Sequence, residues 1–208
     1  MELILASGSK YRAEVLREAG YDFEVDVPQV DERASDHLFT GAGAEVLAVE
    51  LARMKADSVA ERHPSIPIVA CDQVGVLGRG EESRMLTKTP TVDEAVNQLM
   101  AISGTRHRLV NGVVVSWVEP GRETLRASGV DVQVVQMATY DEGTARSYVE
   151  AYEPFDTAGS YRLEDDLGLV EAVEGEDTTG VLGMPLPLLD RLLERLLDDL
   201  EAKRAEPG

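Results

Sequence analysis

The sequence predicts an α/β fold in a single unit spanning residues 1–208, and three observations predict it. Short apolar, β-branched runs alternate along the chain with segments whose apolar residues recur at helical spacing. No internal repeat, low-complexity block or long linker interrupts them. The composition, 43% hydrophobic and 28% charged over 208 residues, is enough to bury a real core, which excludes a disordered tail or a disulfide miniprotein.

The elements follow in order. Glu2 to Ala6 reads as a short buried strand, and Ser7-Gly8-Ser9 leads into a helical stretch from Lys10 to Ala19 that Gly20 ends. Phe23, Val25 and Val27 alternate with acidic residues, predicting a second strand that feeds the pair Asp31-Glu32 in a loop. From Ala44 to Arg62 the apolar positions Leu47, Leu51, Met54 and Val59 mark an amphipathic helix, with Lys55 on or beside its buried stripe. Ile66 to Cys71 predicts a central strand running into Asp72-Gln73 and a second apolar segment, Val74 to Leu77.

Thr91-Val92-Asp93-Glu94 has the capping-box pattern and opens a helix to Ile102, stopped by Ser103-Gly104. Leu109 to Val118 and Ala127 to Met137 flank Glu119-Pro120-Gly121 and predict an antiparallel hairpin. Thr139 to Glu142 repeats the capping-box pattern ahead of a helix to about Tyr152. The last helix, Pro185 to about Lys203, carries Leu189, Leu192, Leu193, Leu196, Leu197 and Leu200 on one face.

Charge narrows the function. With 39 acidic residues against 20 basic ones the formal charge is −19, which disfavours long-range attraction to nucleic acid or to anionic lipid. No run of about 18 apolar residues and no basic leader segment predicts a cytoplasmic protein with no membrane partner. One cysteine, Cys71, permits no internal disulfide and fits a reducing compartment. Only four lysines occur, Lys10, Lys55, Lys88 and Lys203, beside 16 arginines, so each lysine is worth locating.

The nucleotide-binding and hydrolase motifs G-x-x-x-x-G-K, G-x-G-x-x-G, H-E-x-x-H and G-x-S-x-G are absent. His37, His63 and His107 are isolated and read as surface or helix-end residues. What remains is a set of polar groups at the ends of predicted core elements: Ser7-Gly8-Ser9 with Arg12, Asp31-Glu32, Lys55, Asp72-Gln73 and Lys88. Ser7 to Ser9 would offer hydroxyls and unpaired N–H groups to a phosphate at a helix N-terminus, and Arg12 a bidentate contact. Carboxylates able to hold Mg²⁺ beside separated cations able to hold a polyphosphate suit phosphoanhydride cleavage. Taken singly, Ser9 is equally a helix cap, Lys55 a solvated helix lysine and Asp72 a turn residue at a strand end.

Several segments in order resemble the Maf family of nucleoside triphosphate pyrophosphatases. Leu3 to Arg12 is similar to its first strand and Ser-x-Ser-Pro-Arg-Arg loop, Val30-Asp31-Glu32 to its acidic segment, and Leu51 to Ala56 to its lysine helix. Cys71-Asp72-Gln73-Val74 stands where the family has its catalytic aspartate, and Lys88 where it has Gly-Lys-Pro. Ser103 to His107, Tyr148-Val149-Glu150, Ala158 to Tyr161, Glu174-Gly175 and Leu182 to Leu186 continue the likeness. Lys10 replaces the loop proline, and Thr87 and Thr89 flank Lys88 in place of Gly and Pro.

The resemblance implies a Maf or inosine triphosphatase-like fold, α/β, with a curved mixed sheet flanked by helices and two lobes around a central cleft. It implies an enzyme that hydrolyses a nucleoside triphosphate to the monophosphate and pyrophosphate. Asp72 would be the general base, Glu32 and Asp72 would hold a divalent cation, Mg²⁺ or Mn²⁺, and Ser7, Arg12, Lys55 and Lys88 would grip phosphates. Tyr11, Gln73 and Glu164 stand where the 7-methyl-GTP branch carries an aromatic residue, Gln and Glu, so the chain resembles that branch, although that branch usually has Trp at the position of Tyr11 and the Glu164 to Gly168 loop is one residue shorter than the family pattern. An aromatic face and a carboxylate suit the cationic methylated guanine. The resemblance also implies a homodimer. Two alternatives stay beside it: a dTTP/UTP-type house-cleaning pyrophosphatase, and a non-catalytic nucleotide-binding regulator of cell division. A basic cleft on an otherwise acidic surface is expected.

Overall fold

A computed structural model describes residues 2–163, 165, 167–175 and 177–205. Among the described residues its centre is a seven-stranded mixed sheet in the order β2 (Asp22–Val25), β1 (Glu2–Leu5), β3 (Ile68–Leu77), β5 (Arg106–Trp117), β6 (Leu125–Met137), β7 (Val170–Glu174), with β4 (Arg84–Leu86) paired to one end of β3. β1 (Glu2–Leu5) lies parallel to β2 (Asp22–Val25) and to β3 (Ile68–Leu77), and the crossovers between them are α1 (Lys10–Glu18) and α3 (Ala44–Ala60). From β3 onward the sheet turns antiparallel through β5 (Arg106–Trp117), β6 (Leu125–Met137) and the short β7 (Val170–Glu174).

The apolar periodicities place the helices. On α3 the small residues Ala48, Ala52 and Ala56 are fully buried and the backbone rides directly on β5, where a Cβ at Gly112 would lie 2.2 Å from the Ala48 carbonyl carbon. Only glycine permits that approach, and the close packing fixes the height at which Lys55, two turns further along the same stripe, meets the sheet. The C-terminal helix α6 (Leu186–Ala205) buries Leu188, Leu189, Leu192, Leu193, Leu196 and Leu200 against β1, β3 and the hairpin. Each such leucine removed from water contributes about 1.5–3 kcal/mol. Leu197, expected in that stripe, is 39% exposed, and Leu188 takes its place.

Helix α4 (Val92–Ile102) starts as the capping box predicts, with the Thr91 hydroxyl accepting from the Glu94 N–H at 3.3 Å. Helix α5 (Glu142–Tyr152) is capped by Asp141 and not by Thr139, because the Asp141 carboxylate accepts from the Thr144 N–H at 2.8 Å. Other expectations also need correcting. The segment Ile66 to Leu77 is not a strand followed by a turn: β3 runs unbroken through Asp72 and Gln73, and Asp72 pairs in register with Gly112 at mid-sheet. Strand β2 ends at Val25, short of Val27. Asp31 precedes a 3₁₀ turn that already includes Glu32, and α2 (His37–Ala42), β4 (Arg84–Leu86) and β7 have no clear signal in the sequence. Among the described residues, no helix is long and apolar enough to cross a membrane.

Candidate active site

In the loop after β1, two of the N–H groups expected to be unpaired are satisfied by the chain itself, that of Ser7 by the Leu5 carbonyl at 2.9 Å and that of Ser9 by the Ser7 hydroxyl. Ser9 is the N-cap of α1, its hydroxyl accepting from the Arg12 N–H at 3.4 Å, so the plain structural reading of Ser9 holds. Ser7 is buried, and its hydroxyl accepts from the Ser9 N–H at 3.1 Å and from Arg12 Nη1 at 3.3 Å. Arg12 Nε donates to the Gly183 carbonyl at 3.0 Å. Gly183 has φ +82°, where a side chain would be strained and a Cβ would lie 3.3 Å from Nε, so glycine there leaves room for the guanidinium. Lys10 stands at the first helical position, where a proline's missing N–H would have no intrahelical partner to lose; lysine therefore fits the same geometry and adds a cation.

Lys55 is not a solvated helix lysine. Its side chain is 8% exposed, and its ammonium meets Glu32 Oε1 at 2.9 Å and Asp72 Oδ1 in a direct ion pair. Nor is Asp72 a turn residue: it projects from the middle of β3 with its side chain 10% exposed. Burial alone would raise the Glu32 carboxyl, but the charge and hydrogen bond of Lys55, with Lys88 and Arg12 further off, hold it below the ordinary carboxylate range. Two carboxylates from separate elements therefore converge on the Lys55 ammonium.

That convergence fits a hard divalent cation. Among the described residues no group of three or more His, Cys, Asp or Glu side chains gathers anywhere. A cation at Glu32 and Asp72 would take its remaining oxygens from ligand and water, which is how Mg²⁺ is commonly held beside phosphates.

These residues line one cleft of about 790 Å³ together with Tyr11, Gln73 and Lys88. Lys88 is set by its neighbours. The Thr87 N–H donates to Gln98 Oε1 at 3.1 Å, Gln98 Nε2 donates back to the Thr87 carbonyl at 2.8 Å, and the Thr89 and Ser160 hydroxyls bond at 2.9 Å. Ser7, Tyr11, Arg12, Glu32, Lys55, Asp72, Gln73 and Lys88 are thus all brought together. Glu164 lies outside the described residues. Along the described walls stand the cations Lys10, Arg12, Lys55, Lys88 and Arg162 against the carboxylates Glu32, Asp72 and Asp156, reversing the balance of a chain with net charge −19.

Sequence reasoning missed Lys10, Arg162 and Tyr161 as cleft residues. For Tyr161 the signal was the segment Ala158 to Tyr161, noticed without a role. His107 is likewise no surface residue: it lies in β5, 1% exposed, and its Nε2 is hydrogen-bonded to the Tyr161 hydroxyl at 2.8 Å behind the cleft wall. Burial pushes the imidazole down to about 4. Between the unfolded value, about 6.5, and that folded value, only the unfolded chain binds the proton, so stability falls as pH falls through this window, by about 3 kcal/mol in all. Urea unfolding of His107→Leu from about pH 7 to pH 4 should show a decline shallower by that amount; parallel slopes in the two proteins would refute the assignment.

Known proteins resemble this chain over nearly its full length. The family model described as Maf-like protein matches residues 2–196. A 7-methyl-GTP pyrophosphatase of Pseudomonas aeruginosa is 35% identical over 201 residues, covering 93% of this chain and 96% of the relative. One of the same name from Syntrophotalea carbinolica is 32% identical, covering 88% and 89%. Among solved structures, a HAM1 protein from Coxiella burnetii superposes with a TM-score of 0.48 at 17% identity, covering 94% of this chain and 99% of that one.

Proposed function

The chain belongs to the Maf-like protein family, and from that premise we propose that it is a nucleoside triphosphate pyrophosphatase acting on 7-methyl-GTP. The single observation that carries this reading is the meeting of Glu32, Lys55 and Asp72 inside a cleft whose other cations come from α1 and from the segments that carry Lys88 and Arg162. The curated relatives named as 7-methyl-GTP pyrophosphatases support the choice of substrate.

A triphosphate brings about four negative charges, and each cation about 4 Å away offsets roughly 4 kcal/mol at an effective dielectric near 20, before desolvation is counted. In this reading Arg12 and Ser7 receive one end of the phosphate chain, and Lys88, on a separate segment of the cleft lining, receives the other. Lys55 lies beside Asp72 and neutralises charge where the anhydride breaks. Asp72 takes the proton from the attacking water as its oxygen bonds to phosphorus, and the bond to the bridging oxygen breaks to release pyrophosphate. A divalent cation held by Glu32 and Asp72, Mg²⁺ or Mn²⁺, would supply charge neutralisation and orient the phosphates. Tyr11 and Gln73 would face the nucleoside, with the Tyr11 ring suited to a cationic base. A cytoplasmic homodimer is the form this reading expects.

The test is a panel of nucleoside triphosphates with Mg²⁺ and identification of both products. The expected outcome is a monophosphate plus pyrophosphate, with 7-methyl-GTP the preferred substrate. Release of orthophosphate would overturn the reaction assigned. A ranking with 7-methyl-GTP last and dTTP or UTP first would overturn the substrate.

A further inference from the structure

Next to Asp72, Gln73 faces the other side of the sheet and heads a row of polar side chains whose other members, Asn111 and Asp131, have no role so far. Gln73 on β3 is in register with Asn111 on β5, and Asn111 with Asp131 on β6, so the three side chains stand abreast on one face. Asn111 is fully buried. Its Nδ2 donates to Asp131 Oδ2 at 3.1 Å and to the Gly180 carbonyl at 2.8 Å, and its Oδ1 accepts from Gln73 Nε2 at 3.1 Å. Gln73 Nε2 also donates to the Gly180 and Val181 carbonyls, at 3.0 and 3.2 Å.

The direction of this row follows from chemistry alone. A carboxylate and a backbone carbonyl can only accept, so the end of Asn111 that meets them is the NH₂ group. Its carbonyl end is then turned toward Gln73, and three acceptors converge on the amide nitrogen of Gln73. With that nitrogen committed to the protein, the Gln73 amide can meet a ligand in the cleft only through Oε1, as an acceptor.

We propose that Asn111 and Asp131 are positioning residues that hold the Gln73 amide with its acceptor end available to the cleft, so that the row selects for a nucleobase whose ring nitrogen carries a hydrogen. This rests on the nucleotide reading above. Asp131 orients Asn111; Asn111 holds both Gln73 and the turn that carries Gly180. A base offering a ring N–H gains a hydrogen bond at Oε1, whereas a base offering a bare ring nitrogen sets two acceptors against each other. GTP and ATP form the discriminating pair, being alike in size and opposite at N1.

The experiment measures GTP and ATP dissociation constants by calorimetric titration without divalent cation, so that no turnover intervenes. The wild-type chain should prefer GTP. In Asn111→Leu the GTP-to-ATP preference should shrink about tenfold, the effect of one neutral hydrogen bond. In the Gln73→Met background the same change should alter the preference no further, because Asn111 acts through Gln73. Asn111→Ser, which keeps a polar group, serves if the leucine variant does not fold, with a smaller shift of the same sign. An unchanged preference in either folded variant, or an equal loss in the Gln73→Met background, overturns the proposal. Turnover is read separately: a wild-type chain that binds GTP selectively and hydrolyses no triphosphate would overturn the pyrophosphatase reading and leave this one standing.

Discussion

Asp72→Asn should lower turnover by about 10²-fold or more while leaving nucleotide binding in the absence of metal within a few-fold of wild type. Of the two carboxylates that meet Lys55, Asp72 is the buried one, placed to take a proton from water while facing a cation, and the amide keeps its shape without either capacity. Folding should survive, since an amide oxygen still accepts from the Lys55 ammonium, and Arg12 and Lys88 are held by contacts that do not involve Asp72. Pyrophosphate release under saturating substrate and metal checks the first part, and titration in chelator checks the second. A variant with wild-type turnover would remove Asp72 from the chemistry. The same variant separates an enzyme from a nucleotide-binding regulator of cell division, which would keep its cellular phenotype with Asn at this position.

Part of this site was legible in the sequence because local signals suffice for it. Ser9 before a helical run is a cap wherever it occurs, and the spacing of Leu47, Leu51 and Val59 fixes the phase of α3 closely enough to place Lys55 on its inner face. Asp72 was located but misjudged. A carboxylate within an apolar run reads as the end of a strand, and its acceptance at mid-sheet depends on a lysine 17 residues earlier, which no local pattern contains. The pairing of Asn111 with Gln73 and Asp131 was invisible for a related reason: it depends on strand register across a three-strand span, and register is set by the whole hairpin. His107 was misplaced because an isolated histidine carries no period; its place in β5 between β3 and β6, with Tyr161 packed against it, makes it a core residue. The short strands β4 and β7 take their identity from the partner they pair with, so propensity alone does not mark them.

Lys55→Met should be the more damaging change to the molecule as a whole. Methionine matches the lysine stem and suits the apolar stripe of α3, so the loss is of charge and not of packing. Asp72, with its side chain 10% exposed, is left without its ion-pair partner, and Glu32 loses the charge that most strongly opposes its burial. Removing one member of a buried pair costs about 3–5 kcal/mol, and losing one preorganised cation at the breaking anhydride costs about 10²-fold or more in kcat. The pH dependence has a definite sign. In the wild type the Glu32 carboxyl lies below its ordinary value, so its contribution is present at neutral pH and fades as pH falls through the acid range. In the variant the dominant influence on Glu32 is burial, which favours the protonated form, so acid relieves the variant while it weakens the wild type, and the stability gap narrows below about pH 5. Divalent cation should narrow the gap at neutral pH as well, because in the variant the two carboxylates bind it more tightly in the folded state, with no neighbouring ammonium to repel it. Urea unfolding at neutral and acid pH, with and without Mg²⁺, reads all of these. A variant as stable as wild type at neutral pH, indifferent to Mg²⁺ and with kcat within about threefold, would mean that Lys55 contributes neither to the fold nor to the reaction, and the site would have to be sought elsewhere.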